Sequence, residues 1–305
     1  MPRFFRAILV ERRVCHAAYE LVIMRVLFAL VVYDSINWSR TFLGQPKPNG
    51  AARLFDLRLF GRAEMLDSLQ WLIWLPLAVY AAGYLPALAI LSLLVVTVGR
   101  GALNNSQGAI DHSVQIVSLI LVAQLVCHIV DGIRQSKAGR RRAWLAPEPP
   151  QFNLAVHFSK VTLAAGYVVS GVTKLLHSDF LWIAKAPLLA VQILKANLRD
   201  YSDTLERQTD FFSSRVPQLI VEFPNLARAF FGCGLVLELV CFLALRGRRW
   251  AFATGGSLIL MHLLISRIMA LDFWIHVFCV AIFFVNLPGI PQMLRERNAP
   301  TPMRP

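Results

Sequence analysis

Long apolar segments recur along the whole chain and constrain its fold more than any other feature of the sequence. Eight segments have about the length that an α-helix needs to cross a bilayer: 18–38, 67–83, 85–103, 113–131, 153–175, 226–245, 250–268 and 271–288. A mean hydropathy of +0.55 and a charged fraction of 16% are typical of the same class of protein. The sequence therefore predicts an all-α integral membrane protein with about eight transmembrane helices.

Basic residues between the apolar segments predict the orientation of the helices. The formal charge is +13, and much of it lies in short connections such as 140–142 and 246–249. Cytoplasmic loops carry an excess of Lys and Arg, so we expect 1–17 and 289–305 to be cytoplasmic and 18–288 to be the membrane domain. The basic connection at 39–66 is an exception to this pattern. Cations placed between membrane segments indicate anionic lipid, and not nucleic acid, as the partner.

The connection at 176–225 is expected on the external side of the membrane. It contains LWIAKAPLLAVQIL, in which a tryptophan and several leucines accompany an interrupting proline. This pattern is typical of a helix that lies along the membrane interface. We interpret the connection as an external cap with an interfacial helix.

Lysines within the fifth apolar segment mark the first candidate for a functional site. At 100° per residue, Lys160, Ala164, Tyr167, Gly171 and Lys174 fall on one helix face, with the two ammonium groups about 21 Å apart along the axis. A charge inside a membrane is costly, so such residues often belong to substrate or proton pathways. A lysine at a helix end can also extend to the lipid headgroups, and position alone does not decide between these interpretations.

Polar residues on other predicted spans are further candidates for this functional site. His112 lies near the external start of the fourth span and could share an outward-facing pocket with Lys174. Glu238 and His262, on the sixth and seventh spans, could either brace the bundle or line that pocket.

The first span carries two charges that cannot simply pair with each other. Arg25 and Asp34 are about 180° apart around the helix, so we expect each to have a partner on another helix. We assign structural roles to four polar residues: Arg25, Asp34, Lys160 and Glu238. The histidines do not have the spacing of a metal site such as HExxH, and no phosphate loop or dinucleotide fingerprint occurs.

Five segments carry a family resemblance: RVLFALVVYD, with Arg25 and Asp34; LNNSQGAIDHSVQIVSLI, with Asn105 and His112; YVVSGVTKLLHSDFLW, with Gly171 and Lys174; GLVLEL, with Glu238; and MHLLISRIMALDFWIH, with His262. Together they resemble the membrane domain of vitamin K-dependent γ-glutamyl carboxylase and its bacterial relatives, the horizontally transferred transmembrane (HTTM) family. The GVTKL segment is the most specific of the five, because the family's catalytic lysine lies in an equivalent glycine-x-x-lysine stretch.

The resemblance implies a chemistry for this site. It implies that Lys174 is the base that deprotonates a reduced quinone, after which oxygen converts the quinol to an epoxide and a proton leaves a substrate carbon. It also implies that His112 assists carboxylation. We expect four residues to bind the cofactor: Tyr167, Gly171, His262 and Asn105. Because the chain ends about 17 residues after the last predicted span, without a large lumenal domain, we do not expect peptide carboxylation.

The leading hypothesis is a vitamin K-dependent γ-carboxylase-like protein of the bacterial cytoplasmic membrane that acts as a quinol-dependent oxygenase or epoxidase. Its cofactor and partner would be a lipid-soluble reduced quinone of the vitamin K or menaquinone type, with no metal. The alternative is a non-catalytic scaffold or a transporter-like protein whose ionisable residues form a relay. Transporters often contain inverted repeats and interrupted helices, and the sequence shows neither clearly.

Overall fold

The computed structural model describes residues 14–38, 50–57, 60, 63–106, 114–139, 145, 149–206, 211–269, 271 and 273–298. All regular elements in these ranges are helical, which confirms the prediction of an all-α fold. The α-helices are α1 (Ala18–Trp38), α2 (Ala63–Ala82), α3 (Pro86–Asn105), α4 (Gln115–Lys137), α5 (Pro149–His177), α6 (Trp182–Lys185), α7 (Leu189–Thr204), α8 (Phe211–Glu222), α9 (Pro224–Leu239), α10 (Arg248–Met269), α11 (Trp274–Val280) and α12 (Ile290–Asn298). Four 3₁₀ turns (Gly50–Arg53, Ala186–Leu188, Cys241–Arg246 and Leu287–Gly289) and the π-helical turn Ala281–Val285 connect or extend them.

Helices occupy all eight segments that the hydropathy predicts, but not all of them have the length and composition of a membrane span. Within the described ranges, four segments are long and apolar enough: Pro86–Asn105, Gln115–Lys137, Arg248–Met269 and Trp274–Leu294. Two bent helix pairs raise the number of candidates to six. The first predicted span, α1, carries three charged residues, and among the described side chains of α2 the continuous apolar stretch is Ile73–Ala82, which is shorter than a span. Four to six candidate spans are therefore present, and the count of eight stays a prediction.

The turn between α2 and α3 follows from two residues. Gly83 adopts a φ of 79°, a left-handed conformation that costs glycine little. Pro86 begins α3, where its missing backbone N–H needs no partner. As a result α2 and α3 pack against each other as a hairpin, as the sequence predicts for this pair.

The two bent pairs lie on either side of the 176–225 connection. The segment Leu154–His177 is followed by Trp182–Arg199 at an angle of 79°, and Ser214–Glu222 meets Pro224–Leu239 at 106°. Both α7 and α8 therefore run nearly perpendicular to the helices that they join. They pack on each other around a small separate core of Ala186, Ala190, Ile193, Ile220, Ala227 and Phe231. The segment expected to be interfacial is thus helical and forms a cap at one end of α5.

The main core lies where α1 meets the other helices. Phe28 is fully buried, and its ring centroid is 5.2 Å from that of Phe283 and 6.3 Å from that of Tyr80. Polar contacts continue from this core, since the Tyr80 hydroxyl donates to Gln124 Oε1 at 2.9 Å and Gln124 Nε2 donates to Ser159 Oγ at 2.9 Å. These hydrogen bonds connect α2, α4 and α5, and they satisfy polar groups that would otherwise be costly to bury.

A buried ion pair joins the start of α1 to the start of α10. Arg248 Nη1 donates to Glu20 Oε2 at 2.9 Å, and Glu20 is fully buried. The same carboxylate accepts from Asn286 Nδ2 at 2.7 Å, from His16 Nδ1 at 3.0 Å and from the backbone N–H of Ala17 at 3.1 Å. Several donors on one carboxylate compensate for its loss of hydration.

Arg248 also connects this ion pair to the C-terminal part of the chain. Its Nη2 donates to Gln292 Oε1 at 2.7 Å and to the carbonyl of Cys15 at 2.6 Å. A Cβ at Gly289 would lie 2.6 Å from Arg248 Nη1 and 2.8 Å from Glu20 Oε2, so only glycine fits beside the pair. The sequence pattern assigns Arg248 to a basic connection between spans, whereas the structure places it inside the bundle.

We predict that Arg248→Ala lowers the free energy of unfolding by about 3–5 kcal/mol, because it leaves the buried charge of Glu20 without its cation. Arg249→Ala is the matched control, since Arg249 is the next residue and is exposed. Thermal unfolding of both variants in the same detergent measures the difference. Equal stability of the two variants would contradict a structural role for the ion pair.

Candidate functional site

Lys174 and Glu238 form an ion pair between α5 and α9. Lys174 Nζ lies 2.5 Å from Glu238 Oε1 and 2.6 Å from Oε2. The side chain of Glu238 is 7% exposed and that of Lys174 is 36% exposed, so the pair is closed on the side of the carboxylate and open on the side of the amine. The lysine that the sequence singles out thus has a specific partner and does not simply extend away from the bundle.

Gly171 permits the close approach of α9 that this pair requires. It lies on the same face of α5 as Lys174, one turn earlier. A Cβ at this position would lie 3.0 Å from Leu239 Cδ2 and 3.4 Å from Glu238 Cβ. The glycine of the GVTK segment is therefore a packing residue that lets the carboxylate reach the lysine.

Trp182 bounds the site on the side of the cap. Lys174 Nζ lies 5.8 Å from the centre of the Trp182 ring, within the range of a cation–π interaction. Because α6 begins at Trp182 just after the break that follows α5, the bend of the chain brings this ring over the amine.

Tyr167 and His262 form a second polar pair deeper along the same face of α5. Tyr167 Oη and His262 Nε2 are 2.7 Å apart, and both residues are buried. The His262 ring is also packed against Phe273, with ring centroids 4.9 Å apart, and against His276 at 5.8 Å. His262 Nδ1 is buried and has no hydrogen-bond partner within the described ranges, so the histidine keeps one polar atom for another group.

These two pairs belong to one group. Tyr167 and Lys174 lie on the same face of α5, two helical turns or about 10 Å apart along its axis. The buried face of α5 thus presents the amine of Lys174 and the phenol of Tyr167. The carboxylate of Glu238 and the imidazole of His262 meet them from neighbouring helices, among apolar side chains. Such a group can hold a proton at several atoms and can donate hydrogen bonds to the oxygens of a planar ligand.

The structure brings together five of the residues singled out from the sequence: Tyr167, Gly171, Lys174, Glu238 and His262. The predicted stripe on α5 is its buried face, since Lys160, Ala164 and Tyr167 are 7%, 2% and 6% exposed. Lys160 is nevertheless at the other end of that face, beside the Glu20–Arg248 pair.

Three further candidates lie elsewhere. Asn105 is the last residue of α3, a helix that is separated from α5 along the bundle by α4, which packs against both. Arg25 is half-buried and donates through Nε to the carbonyl of Leu21 in its own helix at 3.3 Å. Asp34 is exposed on α1. His112 lies outside the described residues.

The sequence did not single out the aromatic boundary of the site. Trp182, Phe273 and His276 approach it from a helix break and from the start of α11, positions that no periodicity indicates. Within the described ranges, no three His, Cys, Asp or Glu side chains converge in a way that could hold a metal ion.

Comparisons of the chain with protein-family models, with curated proteins and with solved structures found no match.

We predict that Gly171→Ala is less stable than Gly166→Ala by about 1–3 kcal/mol, because the added methyl group overpacks the contact with Leu239 and Glu238. Gly166 lies on the same helix, and its Cβ would meet only Ile116 Cδ1, at an ordinary 3.5 Å. Both variants gain the same helix propensity, so a comparison of their unfolding temperatures isolates the packing effect. A Gly171→Ala protein as stable as Gly166→Ala would show that α9 does not depend on this glycine.

Proposed function

We propose that this chain is a multi-pass membrane enzyme of the HTTM type that acts on a reduced quinone, with Lys174 as the base. The observation that supports the proposal is the Lys174–Glu238 pair: a lysine at the end of an apolar helix, in contact with a buried carboxylate and partly open to the outside. A lysine that only extended to lipid headgroups would not need a buried acidic partner supplied by another helix.

Glu238 explains how the lysine could become a base. In the ion pair the amine donates both hydrogen bonds, so it has to give up a proton before it can accept one. Transfer of that proton to Glu238 produces a neutral amine and a neutral acid, and an apolar site penalises this form less than separated charges. The neutral amine then removes a proton from a quinol hydroxyl group.

Tyr167 and His262 are suited to position the ring of the cofactor. Either residue can hydrogen-bond to a quinol oxygen, and His262 Nδ1 is the atom that keeps this capacity in the described structure. Phe273 supplies a flat apolar surface next to the imidazole. His112 keeps the catalytic role that the family resemblance implies for it, whereas Asn105, on α3, lies apart from the residues that we propose to hold the ring.

The net reaction that we propose is the conversion of a quinol and molecular oxygen to a quinone epoxide and water. The two quinol hydrogens leave in the water molecule, and the first of them passes through Lys174. Removal of a proton from a second, carbon-acid substrate would accompany this step if the chain follows the γ-carboxylase chemistry completely.

We propose a location in the bacterial cytoplasmic membrane with both termini cytoplasmic. Eight spans result if α1, α2, α5 and α9 cross the bilayer in addition to the four single helical segments, which leaves α7 and α8 outside it. Anionic lipid would then contact the basic connections on the cytoplasmic side. We propose that α7 and α8 form the external cap.

One observation favours the alternative of a transporter-like protein. Helices broken near the membrane are typical of transporters, and here the bends of 79° and 106° occur in the helices that carry Lys174 and Glu238. In that case the ion pair would be part of a proton relay or a gate between α5 and α9. A scaffold that binds a protein partner would instead be recognised by a stoichiometric partner after purification.

We predict that membranes containing the wild-type protein convert reduced menaquinone or vitamin K to its epoxide in the presence of oxygen, as measured by mass spectrometry. Lys174→Ala should reduce the rate by about 100-fold or more, the usual contribution of a general base. Lys195→Ala is the matched control, because Lys195 is an exposed lysine on α7.

A second variant separates loss of the base from loss of folding. Lys174→Ala leaves Glu238 buried without its cation, whereas the double variant Lys174→Gln, Glu238→Gln removes both charges and keeps the shape of the pair. Epoxide formation should be lost in the double variant while its unfolding temperature stays close to that of the wild type. Epoxide formation that persists in a folded Lys174 variant would refute the assignment of the base, and no epoxide from folded wild type with several quinols would favour the alternative.

A further inference from the structure

The chain makes a strained turn between Lys174 and Trp182. Helix α5 ends at His177, and α6 begins at Trp182. Between them, Asp179 and Phe180 have φ angles of 54° and 62°, in the left-handed region that residues with a side chain seldom adopt. Backbone strain of this kind persists only where other contacts hold it, and it is concentrated at active sites and switch regions.

The turn itself supplies little of what holds it. The backbone N–H of Phe180 donates to the carbonyl of Leu175 at 2.8 Å, and that of Leu181 donates to Ser178 at 3.0 Å. The side chain of Phe180 is 70% exposed, so its own packing does little to stabilise the left-handed conformation. The position of α6 after the turn therefore depends on what α6 contacts.

Helix α6 lies against α9 through a small set of contacts. A Cβ at Gly232 would lie 3.6 Å from Ile183 Cδ1, so the Ile183 side chain covers this glycine. Arg228 Nε donates to the carbonyl of Ala184 at 3.5 Å, a long hydrogen bond at an exposed position. Trp182 packs against the small core of the cap and is only partly buried. A short helix with few and partly exposed contacts can separate from its neighbour by local opening.

The indole of Trp182 lies where it limits access to Lys174. The amine has the carboxylate of Glu238 on one side and the Trp182 ring, 5.8 Å from Nζ, on another. The Lys174 side chain is 36% exposed, so a narrow approach to the amine remains. A displacement of α6 would carry the indole away and widen that approach.

We propose that α6 is a lid on the Lys174 site, with Trp182 as the residue that closes it and the Asp179–Phe180 turn as its hinge. This inference rests on the proposed function, since it names the residue that controls entry of the quinol. When the lid opens, a flat ring reaches the amine and stacks on the indole in place of the ammonium group. Trp182 is thus a positioning residue, because it acts on the reaction through Lys174.

The rate at which a small water-soluble reagent acetylates Lys174 reports on this lid directly. The acetyl ester of N-hydroxysulfosuccinimide is added to the full chain in neutral detergent, and modification of each lysine is followed by peptide mass spectrometry. Trp182→Ala should raise the rate at Lys174 about fivefold or more, whereas Trp182→Phe, which keeps an aromatic cover, should stay within about twofold of wild type.

Two controls belong to the same measurement. Lys195 is exposed on α7, so its rate of acetylation is the internal reference and should not change. Trp250→Ala removes an exposed tryptophan near the start of α10, at the other end of the bundle, and should leave the rate at Lys174 unchanged.

Ile183→Ala opens the lid without altering Trp182. Ile183 is 39% exposed, so loss of its contact with Gly232 should loosen α6 from α9 and leave the bundle folded. Acetylation of Lys174 should then become about twofold faster or more, with Lys195 again unchanged. This variant decides the question if Trp182→Ala does not fold.

Equal rates at Lys174 in wild type, Trp182→Ala and Ile183→Ala would overturn the inference. An increase with Trp250→Ala as large as that with Trp182→Ala would also overturn it, because the effect would not be specific to the lid. Reduced menaquinone that slows acetylation of Lys174 in the wild type supports both the lid and the quinol. Faster acetylation in the two lid variants without protection by reduced menaquinone supports the lid and counts against the proposed quinol chemistry.

Discussion

Ionisable side chains inside apolar helices impose the constraint on which this structure depends. A buried carboxylate or ammonium group without a partner costs several kcal/mol, and the chain places such groups on several of its helices. Glu20 is compensated by Arg248 and further donors, and Glu238 is compensated by Lys174. Each pair connects helices that are distant in the sequence, so the cost of unpaired charge helps to select which helices become neighbours.

Glycines lie beside both ion pairs, at positions where a side chain would collide with the partner helix or with the pair itself. At Gly171 a side chain would press on Leu239 and Glu238, and at Gly289 it would enter the Glu20–Arg248 pair. Both ion pairs therefore rely on the absence of a side chain at the neighbouring glycine as well as on the charged groups themselves. The two ion pairs differ in their exposure to solvent. Protein encloses the Glu20–Arg248 pair, whereas the side chain of Lys174 is partly exposed. A reacting group requires such access to its substrate.

Much of the fold could be predicted because hydropathy and helical periodicity are local properties. The apolar segments coincide with helices, the stripe from Lys160 to Lys174 is the buried face of α5, and the 176–225 connection contains the expected helix. The angles of 79° and 106° were not predictable, since the sequence marks a break in a helix but not the direction that the chain takes after it. The number of spans could not be predicted either. The charges in α1 need partners on neighbouring helices, so hydropathy alone does not determine whether α1 crosses the membrane.

The sequence by itself determined that this is a helical chain with several apolar segments and that one of them carries a polar face with a lysine near its end. Only the tertiary structure decided that Glu238 is the partner of Lys174, that Tyr167 meets His262, and that Arg248 is buried against Glu20. The physical reason is that periodicity reveals which face of a helix turns inward, whereas a hydrogen bond depends on which other helix is adjacent and at what height. That information belongs to the packing of the whole bundle.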